Sequence, residues 1–137
     1  MVRQAIGLLP KPDAMNLSRY AAAVLTLSML TSAVVAGSIP RRNSQGLLAG
    51  SEGHTLYSYG PDETSGRSRC EGLCAAVWPP YLVDDGLKPT GDFSVTQRVD
   101  GRRQWVYRGR PLYLFAGDAR PGDHDGDGVD GAWHVVH

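Results

Sequence analysis

The sequence predicts a mainly β fold: one small domain of two related, hairpin-containing repeats with one short helix, preceded by a signal or anchor segment. Three observations predict it. The words TLYSYGPD (residues 55–62) and PLYLFAGD (residues 111–118) stand fifty-six residues apart and share one register. From Gly46 onward, short apolar runs are separated by Gly, Pro and Asp, the punctuation of strands and tight turns rather than of helices. Ahead of them lies a single charge-free apolar run, residues 21–36.

That run, AAAVLTLSMLTSAVVA, is preceded by Arg3, Lys11 and Arg19 and followed by Gly37 and Ser38. A basic flank, an apolar centre and a small-residue exit make the layout of a secretory signal. The run is shorter than the roughly 20 residues a spanning helix needs, although short segments can span where the bilayer thins. Residues 1–37 are therefore read as a signal peptide or membrane anchor, with Met15 as an alternative start, and membrane contact is expected only through them. Residues 38–45, SIPRRNSQ, are polar with a proline and paired arginines, and read as a linker. Residues 46–137 form the duplicated β domain, the first repeat spanning about 46–83 and the second about 94–137. The chain balances 14 basic against 14 acidic side chains. Nucleic-acid binding needs a basic field, so no nucleic-acid partner is expected.

Within the domain, GLLAGSEGHTLYSY (residues 46–59) fits two strands around a turn at Ser51, Glu52 and Gly53. CEGLCAAVW (residues 70–78) alone has helical spacing, and Pro79 with Pro80 must end it, giving a helix over residues 74–78. FSVTQRVDGRRQWVYRG (residues 93–109) fits a hairpin whose Asp100-Gly101 pair accepts the positive φ angles of a type I′ turn.

The duplication extends beyond the two words. Gly53, Leu56, Tyr57, Tyr59 and Asp62 match Gly109, Leu112, Tyr113, Phe115 and Asp118 at one offset, and Trp78 is matched within one residue by Trp133. A repeated supersecondary unit follows: strand, turn, strand bearing Leu-Tyr-x-aromatic, an Asp-led loop, then a Trp. Alternate strand residues share a face, so Tyr57 points with Tyr59, and Tyr113 with Phe115, while the leucines point the other way. Where Tyr59 becomes Phe115, aromatic area suffices. Where Tyr57 stays Tyr113, a buried hydroxyl is expected to need a partner. Asp62 and Asp118 are expected to cap turns through side-chain to backbone bonds.

These residues resemble a bacterial family described as a secreted repeat of unknown function, predicted lipoproteins with a Yx(FWY)xxD motif. The motif stands here twice, as YSYGPD and YLFAGD, with the accompanying words CEGLCAAVWPP, RVDGRRQWVYRGRPLY and PGDHDGDGVDGAWHVV. The resemblance covers residues 46–136. It implies an extracytoplasmic protein, secreted or attached to the cell envelope, with no established activity. One departure is that no acceptor cysteine follows the apolar run, which argues against lipid anchoring and for release or a peptide anchor.

Three groupings could carry chemistry. Cys70 and Cys74 are the only cysteines. Exported thiols meet an oxidising compartment, and Gly72 lets the backbone adjust, so a local disulfide is expected. The alternatives are a thiolate metal site with His54, His124, His134 or His137, or two inert thiols. Asp123, Asp125 and Asp127, in DHDGDG, resemble the front half of a calcium loop with Gly128 sixth, but His134 stands where a closing glutamate belongs. Calcium is thus the one cofactor suggested, against a solvated acidic turn. His134 and His137 would point to opposite faces of a strand, which disfavours a joint site. No nucleophile elbow, HExxH helix or phosphate-cradling loop occurs, so no catalytic residue is assigned. The functional expectation is a non-catalytic binding or structural module of the envelope with an unknown ligand or protein partner. Its alternative is a metal-binding or redox accessory protein using Cys70 and Cys74, the histidines or the acidic loop 123–130.

Overall fold

The structure, a computed structural model, describes residues 37–62 and 64–137; of the stretch read above as a signal or anchor, residues 1–36 lie outside the described residues. The elements run β1 (Arg41–Arg42), β2 (Leu48–Ala49), β3 (Tyr57–Tyr59), α1 (Leu73–Val77), β4 (Phe93–Gln97), β5 (Arg103–Tyr107), β6 (Arg110–Pro111) and β7 (Trp133–Val135). They pair antiparallel in three small sheets: β1-β2, β3-β7 and β4-β5-β6. The domain is mainly β with one short helix. Helix α1 ends at Val77, ahead of the two prolines that cannot continue it.

The repeats neither stack as separate sheets nor join as one. They exchange strands. β3 of the first repeat pairs with β7 of the second. At the centre Tyr57 and Tyr113 bridge antiparallel, the N–H of each donating to the carbonyl of the other at 2.9 and 3.0 Å. The surrounding backbone bonds come in matched pairs. Leu56 N–H donates to Leu48 O, and Leu112 N–H to Trp105 O, both at 2.9 Å. Leu48 N–H donates to Val136 O (2.7 Å) and Trp105 N–H to Tyr81 O (2.9 Å). Gly60 N–H donates to Ala132 O (2.7 Å) and Ala116 N–H to Val77 O (2.9 Å). A pseudo-twofold axis therefore passes between Tyr57 and Tyr113.

Strand alternation divides the interior accordingly. Leu56 and Leu112 pack with Leu48, Tyr81, Val83 and Trp105 in one cluster, whereas Tyr57 and Tyr113 pack with Cys70, Trp78 and Trp133 in the other.

Two local expectations need correction. In the β4-β5 hairpin, Arg98 N–H donates to Arg102 O and Gly101 N–H to Arg98 O, and only Gly101, at φ 82°, has positive φ. The connection is thus a three-residue loop closed by a left-handed glycine, not a two-residue type I′ turn. Residues 38–45 are not a linker. Arg41–Arg42 pairs with β2, and Gly37 and Ser38 supply carbonyl acceptors to Trp105 Nε1 (3.1 Å) and the Tyr81 hydroxyl (2.9 Å). Buried Trp and Tyr need partners for their polar ends, and Gly37 and Ser38, where this segment begins, provide them. Gly37 is required by closeness as well, because a Cβ there would lie 2.2 Å from Tyr81 Cζ.

Candidate functional site

The motif residues meet across the repeats. The Tyr57 hydroxyl donates to Asp118 Oδ2 at 2.7 Å, and the Tyr113 hydroxyl donates to Asp62 Oδ2 at 2.7 Å. Each repeat's tyrosine is thus held by the other repeat's aspartate. The second carboxylate oxygens do equivalent work, Oδ1 of Asp62 accepting from Arg69 N–H (2.7 Å) and Oδ1 of Asp118 from Asp125 N–H (3.0 Å). The aspartates therefore brace loops seven residues ahead, rather than only capping a local turn.

Beneath these locks four rings lie in one stack. Trp78 and Trp133 are parallel within 3°, with centroids 3.8 Å apart. Tyr59 covers the outer face of Trp133 at 4.3 Å, and Phe115 that of Trp78 at 4.4 Å. Tyr57 meets Trp78 edge-on at 5.3 Å, as Tyr113 meets Trp133 at 5.2 Å. A tyrosine and a phenylalanine serve equally at the ends of the stack because only their faces are used.

On one side only, the lock continues inward. Ser68 Oγ lies 2.8 Å from the Tyr113 hydroxyl and accepts from Arg98 Nη1 at 3.1 Å. The Arg98 side chain is fully buried, and also donates to Gln104 Oε1 (2.8 Å), Cys70 O (2.8 Å) and Glu71 Oε2. Gln104 in turn donates to Leu112 O at 2.7 Å.

Two clefts flank the axis at equivalent positions. One, of about 250 Å³, is lined by Ser51, Glu52, His54 and Thr55 on one wall and by Pro79, Tyr81 and residues 114–116 with Asp118 on the other. Its counterpart, of about 260 Å³, includes Tyr107, Arg108, Arg110, Ser58 and Val136. At the repeat offset Glu52 becomes Arg108 and His54 becomes Arg110, so the clefts differ in charge. Glu52 and Arg108 share the same left-handed backbone, φ 59° and 47°, each followed by a glycine.

The family model described as secreted repeat of unknown function matches residues 43–81 and 94–137, together more than half of the chain. The chain belongs to that family. The two matched segments coincide with the units related by the pseudo-twofold axis. Comparison with curated proteins and with solved structures gave no match.

In this secreted repeat, burial pushes both lock tyrosines well above the ordinary tyrosine range. The bonds to Asp118 and Asp62 push the same way. Burial likewise raises Asp62 above the usual carboxylate range, opposed by the Tyr113 hydroxyl and Arg69 N–H. For a raised tyrosine the folded state holds its proton after the unfolded state has released it at about pH 10. Stability from Tyr57 and Tyr113 is then complete below about pH 10 and lost as pH rises beyond it. Asp62 has the same sign, its contribution being largest in acid and lost as pH rises through its raised value. Spectrophotometric titration of the folded protein should leave two tyrosines un-ionised above about pH 10 until the protein unfolds. Tyrosine absorbance that titrates completely at the ordinary value, with the fold intact, would contradict the locks.

Cys70 and Cys74 are joined as a disulfide, with their Cα atoms 5.2 Å apart. Bridged sulfurs offer no thiolate, so the cysteine metal site is set aside. Reduction should cost about 2 kcal/mol, because the loop it closes is short; a urea melt with and without reductant measures this.

Asp123, Asp125 and Asp127 are not brought together as an oxygen cage. Asp123 Oδ2 accepts from Arg120 N–H and Asp127 Oδ1 from Val135 N–H, each carboxylate serving its own stretch of loop. Among the described residues no group of three or more His, Cys, Asp or Glu side chains converges for a metal. The loop instead closes over the stack. Gly126 N–H donates to the Tyr57 hydroxyl, and a Cβ on Gly126 would lie 2.7 Å from Trp78 Cη2. His124 Nδ1 lies 3.1 Å from Gly122 O, while His134 and His137 are exposed.

Sequence reasoning missed Arg98, Ser68 and Gln104; it named Glu52 only as a turn residue and His54 only as a metal-ligand candidate, and missed the wall they form with Thr55. Arg98 sits among Arg102, Arg103 and Arg108 with nothing in its spacing to single it out. For the wall a signal existed: charge inverts between the repeats at Glu52/Arg108 while the neighbouring glycines hold.

Proposed function

We propose that this secreted repeat is a non-catalytic binding module of the cell envelope. The reading is supported above all by one observation: the motif's tyrosine hydroxyls and aspartate carboxylates are engaged with each other across the repeats. A general base needs a lone pair facing a substrate, and a nucleophile needs an adjacent base. The motif spends its groups on joining two half-domains, and recognition is left to the clefts and loops around them. The family's description as secreted supports a location outside the cytoplasm, where such recognition would act.

The test is to incubate the purified protein with an envelope extract and follow the extract's small molecules. A binding module depletes a component no further than its own concentration and releases it unchanged on denaturation. Depletion beyond that concentration, with a new product appearing, would make the protein a catalyst and end this reading.

A further inference from the structure

We propose that the cleft between residues 51–55 and 114–118 binds a small primary amine as its ammonium ion. The inference rests on the binding-module reading and names the ligand class.

Size comes first. At about 250 Å³ the cleft falls just below the roughly 300–1,000 Å³ usual for drug-sized ligands, so its ligand is small. Shape and polarity come next. Pro79, Leu114, Phe115 and Ala116 give it an apolar side suited to a hydrocarbon or aryl body. Facing them, Glu52 is exposed and its carboxylate has no hydrogen bond or ion pair among the described residues. Asp118 adds a second negative charge. Its two oxygens each accept one bond, and a carboxylate has about four acceptor positions, so capacity remains. The Phe115 ring can attract a cation over its face. Thr55, in the same wall, is almost fully buried and its hydroxyl lacks a partner. Buried hydroxyls are ordinarily hydrogen-bonded, and an unpaired one beside a cleft suits a polar ligand.

The pseudo-twofold mate supplies an internal comparison. The same backbone turn there presents Arg108 and Arg110, with Ser58 replacing Leu114. Arg108 is paired with Asp92 at 2.9 Å. One scaffold thus carries a cationic cleft and an anionic one. Complementarity of charge then selects ammonium over carboxylate ligands of equal size.

Benzylammonium and benzoate, matched in ring size and opposite in charge, are the probes, followed by amide shifts in NMR titrations of the disulfide-intact domain. Benzylammonium should give saturable shifts at residues 51–55 and 114–118, with benzoate leaving those amides in place. Glu52→Gln should weaken the amine about fivefold, the effect of one exposed charge. Ala116→Trp, at an exposed position whose backbone bond to Val77 is independent of the side chain, should abolish binding by filling the cleft. The proposal is overturned by equal response to benzoate, by both variants binding as the parent does, or by no saturable shift up to about 10 mM amine. Such a failure, with stoichiometric depletion of some envelope component still observed, removes the amine and leaves the binding-module reading standing.

Discussion

Replacing Arg98 with methionine is expected to cost about 3–5 kcal/mol of folding stability, the range for breaking a buried, hydrogen-bonded ion pair from one side. The guanidinium is fully buried and joins four acceptors: Ser68 Oγ, Gln104 Oε1, Cys70 O and Glu71 Oε2. Removing it leaves these groups without their donor and the Glu71 charge without its partner. Arg98→Lys should not restore the loss, since a single ammonium cannot reproduce a planar fork that reaches several acceptors at once. Replacing Glu71 by methionine in the Arg98→Met background should recover part of it, because the stranded carboxylate then disappears. Urea melts of the single and double variants measure this. A loss under about 1 kcal/mol for Arg98→Met would show the arginine to be solvated rather than part of the interior.

The second large effect is expected at Trp133. Its ring is 3 % exposed, lies flat between Trp78 and Tyr59, and takes the edge of Tyr113. Truncation to alanine removes the contact surface between the two repeats and opens a cavity that backbone-pinned neighbours cannot fill. A loss of about 3–5 kcal/mol is expected for such a residue, a large share of the 5–15 kcal/mol typical of a whole domain. The pseudo-twofold makes the forecast sharper, since Trp78→Ala should cost a similar amount. Tyr59→Phe, by contrast, should be nearly neutral, because Phe115 already fills the equivalent place. Thermal or urea denaturation of the three variants decides it, and a tolerated Trp133→Ala beside a damaging Tyr59→Phe would refute the stack as the joint of the fold.

How much of this was legible in the sequence follows from the range of each interaction. The alternation in Leu56-Tyr57 and Leu112-Tyr113 is local, and it correctly assigns the leucines to one cluster and the tyrosines to the other. The constant offset reveals two units, and the Tyr-to-Phe change between them marks where a hydroxyl is dispensable. What the offset does not disclose is which copy each strand pairs with, because β3 finds β7 across more than seventy residues of chain. The Tyr–Asp locks belong to that long-range level. Residues 38–45 look like a linker by composition, since polar character is the same whether a segment is solvated or, as at Ser38, caps the buried end of Tyr81. The acidic loop looks like half a calcium site because spacing records which carboxylates are present and leaves their directions open.

The central claim is that the motif works between repeats and not within one. Double-mutant cycles in urea test it, pairing Tyr57→Phe and Tyr113→Phe with Asp62→Ala and Asp118→Ala. The crossed pairs, Tyr57 with Asp118 and Tyr113 with Asp62, should show coupling of about 0.5–3 kcal/mol, the range for residues in one hydrogen-bond network. Coupling confined instead to Tyr57 with Asp62 and Tyr113 with Asp118, the pairs inside each repeat, would contradict the exchange.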